Sequence, residues 1–508
     1  MQQAAPAAWE AHLAPGERFD PTAQGAGTLV VSWARHWEAH PERLQIFDPE
    51  RGWIQRGELE AATRRAAARL IGAGLEAGDR VLLSADASVD LVIAHVACLR
   101  AGLVVVPVNT AYRADEIAHV IGDARPRAAI VDDAERADAM RRADAALLIT
   151  SPAIELADGP DLDVDGVSPE APALIGYTSG TTGHPKGAVL SHANLLASAE
   201  ALRLAWRWTE RDRLILALPL FHMHGLGVGL HGTLHTGASA VLRRKFEPAD
   251  VLDQIAAHEA TLFFGVPTMY HRLVDHERAK ELESLRLCVS GSAPLSADLH
   301  QRFEAATGQR VLERYGMTET VMLVSNPHDG ERRPGSVGLP LPGVSLRLQG
   351  DPAEIQVRGP NVFSGYWERP DANAEAWTDD GWFRTGDLGV ADASGYLRIE
   401  GRSKELIISG GYNVYPREVE DALRPYPGVD DVAVVGEPDP EWGERVVAYV
   451  VGGAVPELEA VRGFLGDRLA TFKHPRALYG VAELPRNALG KVQKHRLAGG
   501  AVLAERQD

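Results

Sequence analysis

The sequence predicts an α/β protein in which a large N-terminal domain is followed by a small α+β domain. The chain of 508 residues is longer than one hydrophobic core usually supports, so two or more domains are expected. Short apolar runs, several of them β-branched, alternate with helical patterns, which is typical of layered folds with mainly parallel sheets. After Gly401 a new alternation begins and extends over roughly a hundred residues, the size of a small domain.

Local patterns predict the individual elements. Strand-like runs of the large domain occupy residues 80–84, 103–107, 128–132 and 213–217. Helical periodicity covers residues 57–72 and 194–206, and the apolar segment 91–108 predicts a buried helix, a turn and a strand. Glycine and proline become frequent in residues 334–395, which indicates a turn-rich β region. In the small domain we expect a helix at 418–423 and strands at 431–436 and 445–450.

The composition is that of an ordinary globular protein, with 45% hydrophobic and 24% charged residues. A net charge of −18 argues against nonspecific nucleic-acid binding and against a polybasic membrane-surface protein, while leaving room for a local basic site. Cys98 and Cys288 are the only cysteines, so neither a disulfide framework nor a cysteine metal cluster is expected. No signal-peptide pattern is apparent at the N-terminus. These features predict a cytoplasmic protein with no integral membrane segment.

The loop at residues 177–187, Tyr-Thr-Ser-Gly-Thr-Thr-Gly-His-Pro-Lys-Gly, is the most specific local signal. Its glycines permit close approach of the backbone, while its hydroxyl groups, N–H groups and lysine suit the phosphates of a nucleotide. The spacing differs from that of a P-loop, because Pro185 precedes Lys186 and Gly187 stands where a serine or threonine is required. Composition alone also permits a solvated connection without a ligand.

Four further segments carry polar chemistry: residues 288–294, 313–319, 382–387 and 485–491. Thr318 suits a phosphate, and Glu319 could hold Mg²⁺ through its oxygens. Asp387 could accept hydrogen bonds from two ribose hydroxyls, and Lys491 lies on a glycine turn near the C-terminus. Each segment by itself is also compatible with a cap, a turn or a surface charge.

In their order and separation, these motifs resemble those of the adenylate-forming superfamily, which includes acyl-CoA synthetases, peptide-synthetase adenylation domains and luciferases. The resemblance extends from Ala101 to Lys491. It implies an N-terminal domain of stacked sheets and helices at residues 1–402 and a mobile C-terminal domain at 403–508. It also implies two half-reactions. Carboxylate and ATP form an acyl-adenylate and pyrophosphate, and the thiol of CoA then displaces AMP, with Mg²⁺ as the metal ion.

The resemblance assigns a role to residues at the matching positions. The implied ATP-binding residues are Thr178, Ser179, Gly180, Thr181, Thr182, Lys186, Gly291, Ser292, Ala293, Pro294, Glu313, Arg314, Tyr315, Gly316, Asp387 and Arg402. The implied catalytic residues are Lys491, Thr318, Glu319 and His222, and the implied Mg²⁺ ligands are Glu319 and Thr182. Lys404 corresponds to the hinge of the family, and Gly410 and Gly411 to the loop that admits the pantetheine arm of CoA.

The acid-binding segments resemble the malonyl-CoA synthetase branch. That resemblance implies that Arg272 and Ser292 bind the distal carboxylate of malonate, or of methylmalonate, with Met223, His224 and Met317 nearby. A buried second carboxylate requires an ion pair, and a guanidinium offers two parallel donors. Helical periodicity points the other way, because it places Arg272 opposite the apolar face of its helix.

Three alternatives to a malonate enzyme remain. Residues 411–420 and 472–476 are more similar to fatty-acid or aryl-acid CoA ligases, which makes such a ligase the first alternative. A stand-alone adenylation module that loads a carrier protein in trans is the second, and an ATP-binding regulatory protein is a distant third.

Overall fold

The computed structural model describes residues 6–20, 24–159, 165–178, 185–409, 412–440, 442–453, 455–466, 468–487 and 490–497. Its α-helices are α1 Leu29–Ala39, α2 Arg56–Gly72, α3 Val89–Arg100, α4 Ala114–Ala124, α5 Ala134–Ala143, α6 His192–Ala205, α7 His231–Thr236, α8 Pro248–His258, α9 Pro267–Val274, α10 Ala297–Thr307, α11 Pro370–Ala376, α12 Pro416–Leu423 and α13 Leu458–Leu465. A π-helical segment at His224–Leu230 precedes α7. No helix within the described ranges has the length and apolar character needed to cross a membrane.

The β-strands follow the same order along the chain. They are β1 Leu44–Asp48, β2 Gly52–Gln55, β3 Arg80–Ser84, β4 Val104–Pro107, β5 Ala128–Val131, β6 Leu148–Thr150, β7 Pro172–Thr178, β8 Lys186–Ser191, β9 Arg213–Leu216, β10 Ser239–Leu242, β11 Leu262–Gly265, β12 Leu287–Ser290, β13 Leu312–Tyr315, β14 Val324–Ser325, β15 Leu339–Pro340, β16 Ser345–Gln349, β17 Glu354–Arg358, β18 Gly365–Tyr366, β19 Phe383–Ala391, β20 Leu397–Arg402, β21 Ile407–Ser409, β22 Tyr412–Val414, β23 Asp431–Asp439, β24 Gly443–Val451 and β25 Ala477–Gly480.

The chain divides into two compact units. The first comprises Met1–Leu346 and Val357–Phe383, and the second comprises Arg347–Gln356 and Arg384–Asp508. This division differs from the predicted boundary between residues 402 and 403. The reason is that β19 and β20 belong to a four-stranded sheet of order β16-β17-β19-β20. Residues 384–402 therefore make most of their contacts with other residues of the second unit.

Two mainly parallel sheets form the framework of the first unit. One has seven strands in the order β18-β8-β7-β4-β3-β5-β6, and the other has nine in the order β15-β14-β13-β12-β11-β9-β10-β1-β2. The strands β3, β4, β5, β11 and β12 are buried along most or all of their length, as expected for parallel strands covered on both faces. The predicted α/β class with a large first domain and a smaller second one is therefore confirmed.

Helix ends in the first unit follow capping chemistry. The hydroxyl of Ser88 accepts a hydrogen bond from the N–H of Leu91 at 3.1 Å, which satisfies a free donor at the start of α3. Ser191 and Asn194 form a reciprocal pair at the start of α6. The predicted helix–turn–strand at residues 91–108 is present as α3 and β4.

The second unit contains a separate core. Its five-stranded sheet has the order β22-β21-β24-β23, with β25 pairing along β24. The apolar sides of α12 and α13 pack on this sheet through Val419, Leu423, Val461 and Leu465. The predicted helix and strands of the small domain correspond to α12, β23 and β24.

Candidate active site

The predicted phosphate loop connects two antiparallel strands of the first unit. Strand β7 ends at Thr178 and β8 begins at Lys186, and these two residues are paired in the register. The Thr178 hydroxyl donates to the carbonyl of Lys186 at 3.4 Å. The predicted phosphate ligands Ser179, Gly180, Thr181 and Thr182 lie outside the described residues. The hairpin therefore positions the two ends of the loop, with a threonine at one end and a lysine at the other.

Thr318 lies directly against strand β7. A Cβ atom at Gly176 would come closer than 3.0 Å to Thr318 Cγ2, a distance that real side chains essentially never show. Glycine at position 176 therefore allows the segment that carries Thr318 to approach the strand that leads into the phosphate loop. This packing brings two of the predicted motifs together.

Glu319 and Lys186 are linked by Tyr366, a residue that the sequence reasoning did not identify. The Tyr366 hydroxyl donates to Glu319 Oε1 at 3.0 Å, and Lys186 Nζ lies 5.3 Å from the centroid of the Tyr366 ring. Glu319 is buried. Tyr366 reaches this position because β18 pairs with β8, so that Tyr366 lies opposite Ala188. The available signal was one aromatic residue in a turn-rich segment, which is too common to single out.

The surroundings of Glu319 fit a Mg²⁺ site that is completed by substrate. Magnesium prefers oxygen ligands and is commonly held by one or two carboxylates together with phosphates and water. Glu319 supplies a buried carboxylate that Tyr366 connects to the phosphate-loop lysine. Within the described ranges, no cluster of three or more acidic, histidine or cysteine side chains is arranged as a full metal cage. The predicted second ligand, Thr182, lies outside those ranges.

The predicted adenine-binding segments leave neighbouring parallel strands. Strands β12 and β13 pair through Ser290 and Glu313, and the turn formed by residues 291–294 follows β12 directly. Glu313 Oε1 accepts a hydrogen bond from the N–H of Leu295 at 3.0 Å, which ties this turn to β13. Tyr315 and Gly316 follow at the end of β13 and are half-buried, as are Ser292 and Ala293, whereas Pro294 is exposed.

The acid-binding candidates His224 and Ser292 form a connected group with the catalytic candidate His222. Ser292 Oγ and His224 Nδ1 are 3.3 Å apart, and the backbone N–H of His224 donates to His222 Nδ1 at 3.3 Å. Burial, followed by the charge of Arg314 and then that of His222, holds the pKa of His224 well below its ordinary value. Met223 is buried and Met317 is half-buried. The group offers neutral hydrogen-bonding atoms in a largely buried setting.

Arg272 does not join this group. Its side chain is 51% exposed, its Nη2 pairs with Glu247 Oε2 at 2.8 Å, and its guanidinium lies 5.2 Å from the centroid of the Phe246 ring. The buried face of α9 carries Tyr270 and Leu273 instead. The expectation that Arg272 anchors a second carboxylate therefore conflicts with its placement, and helical periodicity correctly indicates a surface arginine.

Three predicted residues of the second unit interact electrostatically. Asp387 and Arg402 are paired across β19 and β20, and Arg402 Nε lies 3.1 Å from Asp387 Oδ1. Lys491 as a whole residue is exposed, yet its pKa is lowered. The main cause is the removal of its ammonium group from water, and the second is the positive charge of Arg402. The carboxylates of Glu405 and Asp387 act in the opposite direction. An acid for ribose hydroxyls and a lysine for phosphate charge therefore lie within electrostatic reach of each other.

The predicted hinge lies in the same unit. Lys404 belongs to a short 3-10 turn at Ser403–Glu405 and is exposed. Gly410 and Gly411 lie outside the described residues.

Comparison with known proteins identifies the family. Residues 33–367 match AMP-binding enzymes, and residues 418–491 match the C-terminal domain of AMP-binding enzymes. The chain belongs to the AMP-binding enzyme family. This confirms the predicted adenylate-forming superfamily and the coarse reaction class, that of an ATP-dependent acyl-CoA ligase which uses ATP, Mg²⁺ and CoA.

This AMP-binding enzyme has several similar relatives with different acids in their names. A sulfoacetate–CoA ligase of Cupriavidus necator is 36% identical, with 93% of this chain and 97% of that protein covered. A feruloyl-CoA synthase of an Amycolatopsis species is 37% identical, with 86% and 92% covered. A malonate–CoA ligase of Arabidopsis thaliana is 34% identical, with 84% and 78% covered. The crystal structure of ATP-bound MatB from Rhodopseudomonas palustris has a TM-score of 0.86 and 40% identity, with 92% and 98% covered.

Proposed function

We propose that this chain is a malonate–CoA ligase, with methylmalonate as the other acid of this kind that it would accept. The observation that carries the proposal is the polar character of the group formed by His222, His224 and Ser292, in which Ser292 Oγ and His224 Nδ1 lie 3.3 Å apart. A pocket for an alkyl chain or an aromatic ring is lined mainly by apolar side chains, whereas a second acidic group requires hydrogen-bond donors. Similarity to ligases named for malonate and for sulfoacetate, both of which have two acidic groups, supports the same interpretation.

In the first half-reaction, a carboxylate oxygen of the acid attacks the α-phosphorus of ATP, and pyrophosphate leaves. Both reactants are anionic, so positive and hydrogen-bonding groups must offset their repulsion. We assign the leaving β- and γ-phosphates to Thr178 and Lys186, and the α-phosphate to Thr318. Glu319 would hold Mg²⁺, which supplies positive charge at the phosphate oxygens. Lys491 would stabilise the charge that develops between the acid and the α-phosphate.

In the second half-reaction, the thiol of CoA loses its proton to solvent, its sulfur attacks the acyl carbon, and AMP leaves with the bonding electron pair. The exchange of catalytic states about Lys404 would withdraw Lys491 before this step, so Lys491 would contribute mainly to the first half-reaction. Asp387 would bind the ribose hydroxyls in both. Lys404 and the glycines at 410 and 411 retain their proposed roles in exchanging the two catalytic states and in admitting the thiol arm.

A fatty-acid or aryl-acid ligase is the second candidate, because the feruloyl-CoA synthase relative is as similar as the sulfoacetate enzyme. AMP release, measured with ATP, CoA and one acid at a time, separates the two. We expect the highest kcat/KM with malonate or methylmalonate, and weak activity with octanoate and benzoate. High activity with octanoate or benzoate and none with malonate would contradict the proposal.

The same assay addresses the carrier-protein alternative. If malonate supports ATP–pyrophosphate exchange while CoA fails to discharge the adenylate, the acceptor is a carrier protein rather than CoA. Rapid formation of malonyl-CoA would exclude that alternative.

A further inference from the structure

The Lys491 segment, residues 485–487 and 490–497, consists of two short arms that pair with each other. Arg486 and Val492 form an antiparallel bridge between the arms. The N–H of Asn487 donates to the carbonyl of Lys491 at 2.9 Å, and the N–H of Lys491 donates to Asn487 Oδ1 at 3.0 Å. Two paired arms of this length are only marginally stable by themselves. The position of Lys491 therefore depends on what attaches the arms to the rest of the second unit.

Each arm is attached by an ion pair. On the first arm, Arg486 pairs with Asp431 at the start of β23. On the second arm, Lys494 Nζ lies 2.6 Å from Glu420 Oε1 of α12. The side chain of Lys494 is 18% exposed, and that of Arg486 is 34% exposed. An exposed pair contributes little, whereas a buried charge left without its partner is strongly unfavourable. Lys494 therefore holds the segment more firmly than Arg486 does.

The same lysine reaches the turn that contains the proposed hinge. Lys494 Nζ lies 3.8 Å from Oε2 of Glu405, the last residue of that turn. Glu420 is fixed from its other side, because its Oε1 also accepts a hydrogen bond from the N–H of Val434 at 2.9 Å. One ammonium group thus joins three parts of the second unit: the hinge turn, α12 and the arm that begins beside Lys491.

We propose that Lys494 is a positioning residue for adenylate formation, which keeps Lys491 in the place that the first half-reaction requires. It does so through its ion pairs with Glu420 and Glu405. The inference rests on the proposed function and deepens it, because it assigns a residue that acts through the catalytic lysine and not on the substrate. Three residues of chain span at most about 10 Å, so a displacement of Lys494 is passed on to Lys491.

The charges around Lys491 supply a second way to observe this arrangement. Burial is the largest cause of its lowered pKa, and the charge of Arg402 is the next. The charge of Lys494 lowers the pKa as well, whereas Glu405 and Asp387 raise it. Like charges disfavour the ammonium form, and opposite charges favour it. Removing the charge of Lys494 should therefore raise the pKa of Lys491, and removing that of Glu405 should lower it.

The test measures ATP–pyrophosphate exchange with malonate in the full-length enzyme, which reports the first half-reaction without CoA. Lys494→Met removes the charge and keeps an unbranched apolar side chain. We expect it to lower kcat for exchange on the order of 10²-fold, the loss that follows when a catalytic group is misplaced by about 1 Å. The KM for malonate should stay close to that of wild type. Lys494→Arg should recover most of the loss, since a guanidinium also pairs with a carboxylate.

Lys473→Met is the matched control. Lys473 Nζ lies 2.6 Å from Glu418 Oε1 on the same helix, and its side chain is 20% exposed, so the change removes an ion pair as short and about as buried as that of Lys494. This pair attaches the short turn at residues 471–473 and not the Lys491 segment. Lys473→Met should lower Tm about as much as Lys494→Met does, and it should leave exchange near the wild-type rate.

Two further measurements separate positioning from a general loss of structure. The pH above which exchange declines should move up in Lys494→Met and down in Glu405→Gln. A lower Tm with no movement of either limit would indicate a structural lysine and would overturn the inference. In the second measurement, adenylate that has accumulated without CoA is chased with CoA. Lys494→Met should transfer the acyl group at nearly the wild-type rate, because Lys491 acts mainly in the first half-reaction.

Other outcomes contradict the inference directly. Wild-type exchange in Lys494→Met would overturn it, as would equal losses in Lys494→Met and Lys473→Met, or equal losses of exchange and of thiol transfer. The proposed function fails in a different way. Wild-type exchange with octanoate or benzoate but not with malonate would reject the proposed substrate, and the variants are then compared with the acid that is active. Absence of exchange with every acid would reject both.

Discussion

Replacing Gly176 by alanine tests whether the position of Thr318 controls formation of the adenylate. The new Cβ would meet Thr318 Cγ2, and the two carbons must separate by about 1 Å to reach the 3.4 Å at which ordinary contact begins. A threonine has few allowed side-chain rotamers, so it relieves the contact by rotating its hydroxyl away or by shifting its backbone. Both responses misplace the hydroxyl that we assign to the α-phosphate.

The expected magnitudes follow from that displacement. A misplacement of about 1 Å in a catalytic group lowers the rate on the order of 10²-fold, and overpacking lowers the free energy of unfolding by about 1–3 kcal/mol. ATP–pyrophosphate exchange with saturating malonate measures the first quantity, and urea unfolding measures the second. Gly122→Ala is the matched control, because a Cβ there meets nothing within 4 Å on an exposed turn of α4. It should leave exchange unchanged and raise stability by up to about 1 kcal/mol.

The decisive step is rescue by a second substitution. Thr318→Ser removes Cγ2, the atom in conflict, and retains the hydroxyl. The double variant Gly176→Ala/Thr318→Ser should therefore recover at least about tenfold in exchange relative to Gly176→Ala, which is a positive coupling between neighbours. Full exchange activity in Gly176→Ala, or no recovery in a stably folded double variant, would refute this reasoning.

Three other predictions concern separate groups. Tyr366→Phe removes the hydrogen bond to Glu319 and should raise the Mg²⁺ concentration needed for half-maximal exchange, while Glu319→Gln should raise it further. Because the pKa of Lys491 is lowered, its ammonium group loses its proton at a pH below the ordinary lysine pKa. ATP–pyrophosphate exchange should therefore decline with rising pH before that value is reached. Lys491→Arg should move the decline to higher pH. Burial lowers the pKa of His12 and that of His192 to about 4. Below the ordinary histidine pKa the unfolded chain therefore binds more protons than the folded chain, which favours unfolding. Each of the two residues should lower the free energy of unfolding by about 2 kcal/mol between about pH 7 and pH 5. Urea unfolding at both pH values, with His12→Gln as the comparison, measures this loss.

Much of the fold could be predicted because its signals are local. Strand β3 coincides with the predicted run at residues 80–84, and α2 differs from its predicted range by one residue at its start. The boundary between the units could not be predicted in this way. It depends on pairing of β17 with β19 across more than twenty residues of intervening chain, and no local composition change marks it.

The candidate site was predictable where its residues belong to continuous motifs, and less so elsewhere. The pairing of Asp387 with Arg402 requires only a hairpin register, whereas the contact of Tyr366 with Glu319 requires β18 to reach β8 from far along the chain. Arg272 shows the opposite case. Motif similarity assigned it to the substrate, but the 3.6-residue period of α9 already placed it with the exposed side chains, and the exposed pair with Glu247 agrees with that period.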